Sequence, residues 1–234
     1  MATPFYVAPE QMMKDRAEYA RKGIARGRAL VAMEYADGVV FVSENPSRSL
    51  NKTSEIYDRI GFAAVGRYNE FESLRVAGIR LADVKGYQYA REDVTAKSLA
   101  NAYSQALGAI FMGSEAKPYE VELLIAEVDG EMRDGDHSGH ELYHILYDGS
   151  IVNESRFVVI GGETEPLTAG LESRFEPDLS KEAAVRMCVA TLSEVAGREI
   201  AAGDLEVSGL DSTRHRRRFF RLRDEPLADA LDAG

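Results

Sequence analysis

Apolar residues recur along this chain at two different periods, and the period changes in blocks. Met13, Ala17, Ala20 and Ile24 fall at steps of four, three and four, the spacing of one helical stripe. Pro9 suits a first helical position, with Glu10 and Asp15 early and Arg21, Lys22 and Arg26 late, as the helix dipole favours. The pattern predicts a helix over 9–26. The apolar runs 29–35 and 39–42 then flank Ala36-Asp37-Gly38, and Asp-Gly between such runs predicts a hairpin. Further strands are expected at 50–58 and 61–66. Helices follow at 69–84, carrying Phe71, Leu74, Ile79 and Leu81, and at 95–112, carrying Leu99, Ala102, Tyr103, Ala106 and Ile110 on one face before Gly113. The strand signal returns at 121–128, 141–147 and 156–160, with turns at Asp129-Gly130 and Asp148-Gly149. Two more helices are predicted at 164–175 and 180–196, the second capped by Ser180 and Gly197, and two last strands at 205–207 and 218–222.

Strands and helices therefore come in blocks and do not alternate. That order favours antiparallel sheets with helices outside them, an α+β four-layer αββα sandwich with an extra N-terminal helix, over repeated βαβ units. Residues 1–8 carry no pattern and are expected to be a mobile arm. A single domain is expected over 9–223, followed by an acidic, disordered tail over 224–234.

Composition narrows the functions open to such a domain. A chain of 234 residues is long enough for one large core. A formal net charge of −11 argues against general nucleic-acid affinity, which needs a basic face. Cys188 is the only cysteine, so an intrachain disulfide is impossible and a reducing compartment fits. No apolar stretch approaches the roughly 18 residues of a membrane span, and a cytoplasmic protein is expected.

Several blocks, in order along the chain, carry a resemblance to a known family. They are Glu18-Tyr19-Ala20-Arg21, Ala36-Asp37-Gly38-Val39, Asn45-Pro46-Ser47-Arg48-Ser49-Leu50, Arg67-Tyr68-Asn69-Glu70-Phe71, Lys117-Pro118-Tyr119-Glu120-Val121 and Tyr147-Asp148-Gly149-Ser150-Ile151. The sequence resembles the α subunits of the 20S proteasome, of the actinobacterial type, over roughly residues 4–200. The resemblance implies the amino-terminal-nucleophile hydrolase fold and a non-catalytic subunit. Its copies would form outer heptameric rings over catalytic β subunits, gate the admission of protein substrates and dock an activating ATPase ring through its C-terminal tails. Substrates of the actinobacterial relatives carry a small ubiquitin-like tag, which suggests that pathway here. Many family members begin with a Tyr-Asp-Arg element; Ala8-Pro9-Glu10-Gln11 takes its place, so different gate-closing contacts are expected.

The resemblance also assigns residues. Ala2, Thr3, Pro4, Phe5, Tyr6, Val7 and Ala8 would form the gate. Met13, Ala17, Tyr19 and Ala20 would make ring contacts, and Lys52 would receive the carboxylate of an activator tail. No catalytic residue is expected. In the family's β subunits a threonine begins the first strand and attacks the peptide carbonyl. Aligning the hairpins puts Arg28 in its place, with Glu44 and Glu55 near the assisting acid and lysine positions, and no Ser, Thr or Cys lies between Pro4 and Val42. The rival reading, an autonomous hydrolase of the same fold, would need such a residue exposed there.

Three other groupings favour ordinary structural roles. His137, His140 and His144 with Asp134 and Asp136 look metal-like. A strand, however, would hold His140 and His144 roughly 13 Å apart at 3.3 Å per residue. No metal or cofactor is expected. The basic run 214–218, followed by Phe219, Phe220 and Leu222, suggests an edge strand whose arginines face solvent or carboxylates. Gly161-Gly162 suggests a tight strand-to-helix turn.

Overall fold

The computed structural model describes residues 8–113, 116–129 and 139–232. Among these residues the chain forms helix α1 (Pro9–Ala25), strands β1 (Leu30–Tyr35), β2 (Gly38–Glu44), β3 (Thr53–Tyr57) and β4 (Ile60–Gly66), and helices α2 (Tyr68–Gln88) and α3 (Ala96–Met112). There follow β5 (Val121–Glu127), β6 (Glu141–Ile145), β7 (Ile151–Glu154), β8 (Phe157–Ile160), α4 (Thr164–Glu172), α5 (Lys181–Ala196), β9 (Leu205–Asp211), β10 (Phe219–Leu222) and α6 (Asp224–Asp232). One antiparallel sheet runs β10-β9-β2-β1-β8 and the other β3-β4-β5-β6-β7. The expected four-layer αββα architecture is present.

Three apolar layers explain that stacking. Between the sheets, Leu30, Ala32, Val39, Phe41 and Leu210 meet Ala63, Val65, Leu124 and Ala126. Outside the first sheet, Val31, Met33, Val40 and Val42 pack with Leu167, Leu171, Val185, Cys188 and Leu192 of α4 and α5. Outside the second, Phe62, Ala64, Leu123 and Ile125 pack with Phe71, Leu74, Leu99, Tyr103 and Leu107 of α2 and α3. Strands buried on both faces read as continuous apolar runs, which is why 39–42 and 123–126 lack strict alternation. Close stacking also fixes one glycine. A Cβ on Gly38 would lie 2.0 Å from the Leu210 carbonyl oxygen on the adjoining strand, so the hairpin and β9 can meet only there without a side chain.

Helix α1 lies across the inter-sheet core. Ala20 is fully enclosed and Ile24 nearly so, with Met13 and Ala17 packed against the same cluster. Arg16 fastens the helix to the end of α3: Nε donates to Phe111 O at 2.9 Å, Nη2 to Ile110 O at 3.0 Å and Nη1 to Ala116 O at 2.9 Å. The carbonyls at the helix end have no partner within the helix, so a cation there both satisfies them and opposes the dipole. The predicted caps of α5 are in place, with Ser180 Oγ accepting from Ala183 N at 3.2 Å and Gly197 left-handed at φ 65°.

Two segments differ from expectation. The acidic segment from 224, expected to be disordered, forms α6 because Leu227, Ala230 and Leu231 make a small apolar stripe against the α5 layer, and Arg186 Nη1 donates to Ala230 O at 3.2 Å. Strand β7 lies where periodicity predicts none. It is a short edge strand with exposed Ile151 and Val152, so inward burial leaves no trace in its pattern. The basic edge behaves as expected: Arg217 pairs with Glu55, Arg218 with Asp129 and Arg221 with Glu206.

Candidate functional site: the Lys52 node

Strand β1 begins and β2 ends at the same rim of the sandwich, and Lys52 reaches that rim from the residue before β3. Its ammonium donates to Ser43 Oγ at 2.8 Å, to Arg28 O at 2.9 Å and, more weakly, to Glu44 O at 3.4 Å. Burial pushes its pKa down; Glu206 and Glu44 pull it back up and Arg28 pushes it further down, for a net value of about 8. The cation is thus held by neutral oxygens while carboxylates act on it from farther away. Glu44 itself is engaged by Arg28 Nε at 3.2 Å and Arg198 Nη2 at 2.6 Å.

This arrangement corrects one sequence expectation. Hairpin alignment puts Glu55 near the assisting-lysine position, but the group beside Arg28 is Lys52, and Glu55 turns away to Arg217. The loop between β2 and β3 accounts for the shift, because it brings residue 52 back to the rim before the strand starts. A lysine therefore stands next to the place where a nucleophile would begin the first strand. That place is Arg28, joined through Gly27 to α1. Ser43 is the hydroxyl within reach of the amine, but it is fully enclosed and its own proton goes to Ala29 O at 2.8 Å, which leaves no approach for a substrate carbonyl.

Beside the node lies a groove of about 410 Å³. Arg28 and Glu44 form one wall, and Leu167, Leu192, Val195 and Ile200 supply an apolar lining. The cation that lines this groove is Arg28, and Lys52 lies behind it, bonded to the Arg28 carbonyl; a cationic rim on an apolar groove can receive a carboxylate carried on an apolar segment.

The expected gate falls mostly beyond view: Ala2, Thr3, Pro4, Phe5, Tyr6 and Val7 lie outside the described residues, and Ala8 is the exposed residue just before α1. Of the stripe expected to make ring contacts, Ala20 is fully enclosed by its own chain, and Met13 and Ala17 pack on the same core. Part of its periodicity reports intrachain burial; Met13 and Ala17 remain partly exposed and Tyr19, 46% exposed, faces outward. Sequence reasoning misses another surface. On α2 and just beyond it, Leu81, Val84, Tyr87 and Tyr89 are exposed, Tyr87 at 92%. A signal exists in Tyr87 and Tyr89, two aromatics beyond the point where the predicted helix stops.

Of the histidine cluster, Asp134, Asp136 and His137 lie outside the described residues. His144 is occupied by carboxylates: Nε2 is 3.5 Å from Glu122 Oε2 and Nδ1 is 3.8 Å from Glu154 Oε1. Burial alone would depress its pKa, but the two carboxylates outweigh burial and lift the imidazole to about 9. His140 is buried just before the same strand. Among the described residues no group of His, Cys, Asp and Glu is arranged to hold a metal ion, and no helix is long and apolar enough to cross a membrane.

Two stacked antiparallel sheets between helical layers, with a lysine at the rim where the first strand begins, define the amino-terminal-nucleophile hydrolase class of fold. Similarity to known proteins narrows this. The proteasome subunit family profile matches residues 24–208. Relatives described as "Proteasome subunit alpha" come from Acidothermus cellulolyticus, 54% identical over 99% of this chain and 98% of the relative, and Kineococcus radiotolerans, 56% identical with the same coverage. A third, from Gordonia bronchialis, is 55% identical over 99% of this chain and 90% of the relative. The chain belongs to the proteasome subunit family, and the relatives it resembles are α subunits of actinobacteria.

Proposed function

We propose that the chain is a non-catalytic α subunit of a proteasome core, forming the heptameric outer rings over catalytic β subunits and gating the passage of protein substrates. The observation that carries this reading is the Lys52 node. The lysine is present, but the residue beside it is Arg28, in the connection between a seventeen-residue helix and β1, so no free amino-terminal nucleophile stands at the rim. Freed from proton transfer, Lys52 serves as the docking cation for the C-terminal carboxylate of an activating ATPase tail, with the apolar groove beside it. Residues 2–8 form the gate ahead of α1. The exposed apolar residues Leu81, Val84, Tyr87 and Tyr89 support assembly with other subunits, because a patch of this kind on a soluble domain marks an interaction surface. The setting is cytoplasmic protein degradation.

Reconstitution tests this. The chain alone is expected to show no peptidase activity, and adding the β subunit should create activity carried by β alone. Within that assembled core, removing residues 2–8 should raise hydrolysis of a fluorogenic peptide, with assembly checked on a native gel. Covalent label from a threonine-directed inhibitor on this chain would refute the non-catalytic reading. Assembled, truncated particles no faster than intact ones would remove the gate assignment.

A further inference from the structure

Glu206 lies on β9 between the apolar residues Leu205 and Val207, and it is 6% exposed. A carboxylate buried among apolar side chains needs full hydrogen-bond satisfaction to stay ionised. Glu206 has it. Oε2 accepts from Lys52 N at 2.9 Å and Asn45 Nδ2 at 2.7 Å; Oε1 accepts from Thr53 N at 3.1 Å, Thr53 Oγ1 at 2.6 Å and Arg221 Nη1 at 2.8 Å. Burial by itself would raise its pKa, but these bonds outweigh burial and hold it below the ordinary carboxylate value.

The donors have a pattern. Asn45 opens the loop between β2 and β3, while Lys52 and Thr53 close it, so one carboxylate grips both ends. Asn45 Nδ2 also donates to Leu50 O at 2.8 Å, its Oδ1 accepts from Ser47 N at 3.1 Å, and Leu50 N donates to Ser47 Oγ at 3.1 Å. The loop is thus tied internally and then pinned to β9. Because β9 belongs to one sheet and β3 to the other, the pin also crosses the sandwich. Ser208, two residues along β9, adds a bond from its hydroxyl to Thr53 Oγ1 at 2.7 Å.

We infer that Glu206 is the positioning residue for Lys52: by holding the Asn45 side chain at one end of the 45–53 loop and the Lys52 and Thr53 backbone at the other, it aims the ammonium at the rim formed by Arg28, Ser43 and Glu44. The inference deepens the docking role of Lys52 and rests on that reading for its functional meaning. Arg221 is the counter-ion that lets the clamp stay charged, since its Nη2 is itself fixed by Thr53 O at 2.7 Å.

Lys52 reports on its own placement. In the assembled core, its acylation by a water-soluble reagent is followed by mass spectrometry from neutral to about pH 10, with exposed Lys22 as the internal reference. In the unaltered protein the Lys52 midpoint is expected at about 8. In Glu206→Gln the loop is released, the amine enters water, and the midpoint should move up toward the ordinary 10.5 while the reference lysine reacts as before. A midpoint that stays put or falls overturns the inference, because loss of the negative charge without repositioning would lower it. If Glu206→Gln does not assemble, Asn45→Ala releases only the start of the loop and should move the midpoint the same way by a smaller step; an unmoved midpoint there also overturns it. Stimulation by the ATPase ring separates this inference from the docking reading. Glu206→Gln should raise the activator concentration for half-stimulation about tenfold while keeping the maximal rate. If Lys52→Ala leaves stimulation untouched while Glu206→Gln still moves the Lys52 midpoint, docking at Lys52 fails and the positioning role stands.

Discussion

Lys52 and His144 are two cations set into the same sandwich, both largely buried, and their surroundings drive them in opposite directions. Lys52 rests on carbonyl and hydroxyl oxygens and its pKa falls to about 8; His144 sits between Glu122 and Glu154 and its pKa rises to about 9. Burial opposes both charges. What differs is the second party: dipoles satisfy hydrogen bonds without cancelling the charge, whereas carboxylates do both. A cation whose charge is left uncancelled remains available to an incoming anion. His144 joins β5, β6 and β7, whereas Lys52 is held by uncharged oxygens, the condition that the docking proposal requires.

The most severe way to break this contrast is to strip His144 of its anions. Glu122→Gln with Glu154→Gln should drop its pKa below the ordinary 6.5 and lower stability near pH 6 by on the order of 3 kcal/mol, the worth of holding the proton up to about 9. Chemical denaturation of single and double variants measures it. A double variant as stable as the unaltered chain would mean the imidazole gains nothing from its neighbours. Next in size is Lys52→Met. It should cost docking of the ATPase ring about 2 kcal/mol, read as a rise in half-stimulating concentration, yet leave the melting temperature unchanged or slightly raised, since a costly buried charge is replaced by an apolar chain. A large loss of stability would show that Lys52 is a fastener like His144.

The subtlest test is the pH profile of stability. His144 has a folded pKa above its unfolded value, so its contribution is complete below 6.5 and is lost as pH rises through about 9. Lys52 has a folded pKa below its unfolded value, so the unfolded chain binds the extra proton between about 8 and 10.5 and stability rises across that range. Between about 8 and 9 the two slopes should nearly cancel, leaving a net change below about 1 kcal/mol from this pair. Glu122→Gln with Glu154→Gln should expose the rising limb and Lys52→Met the falling one.

Local signals make much of the fold legible in the amino-acid sequence. The Asp37-Gly38 hairpin, the Ser180 and Gly197 caps and the doubly buried runs at 39–42 and 123–126 are of this kind, and the architecture follows from their order. Lys52 is marked only by the family resemblance, since a lysine on a polar stretch carries no signal of its own. Glu206 is invisible: one carboxylate in Leu205-Glu206-Val207 looks like the solvent side of an alternating strand, and its buried state depends on donors that lie about 150 residues earlier in the chain. The Met13, Ala17 and Ala20 stripe is truly periodic and its Ala20 end is enclosed by its own chain's core, while Met13 and Ala17 stay partly exposed; periodicity says that a face is buried without saying by what. The helix after 224 is hidden by its acidic composition, with only Leu227, Ala230 and Leu231 to reveal it.

Helix α1 is fixed at two points along its length. Arg16 holds the carbonyls at the end of α3, and Gly23 lies so close to Glu120 that a Cβ there would fall 2.0 Å from Oε2. A beam clamped at two points cannot swing. Helix α1 is thus a rigid mount at the edge of the sandwich, and its N-cap, Ala8, carries no side-chain cap bond.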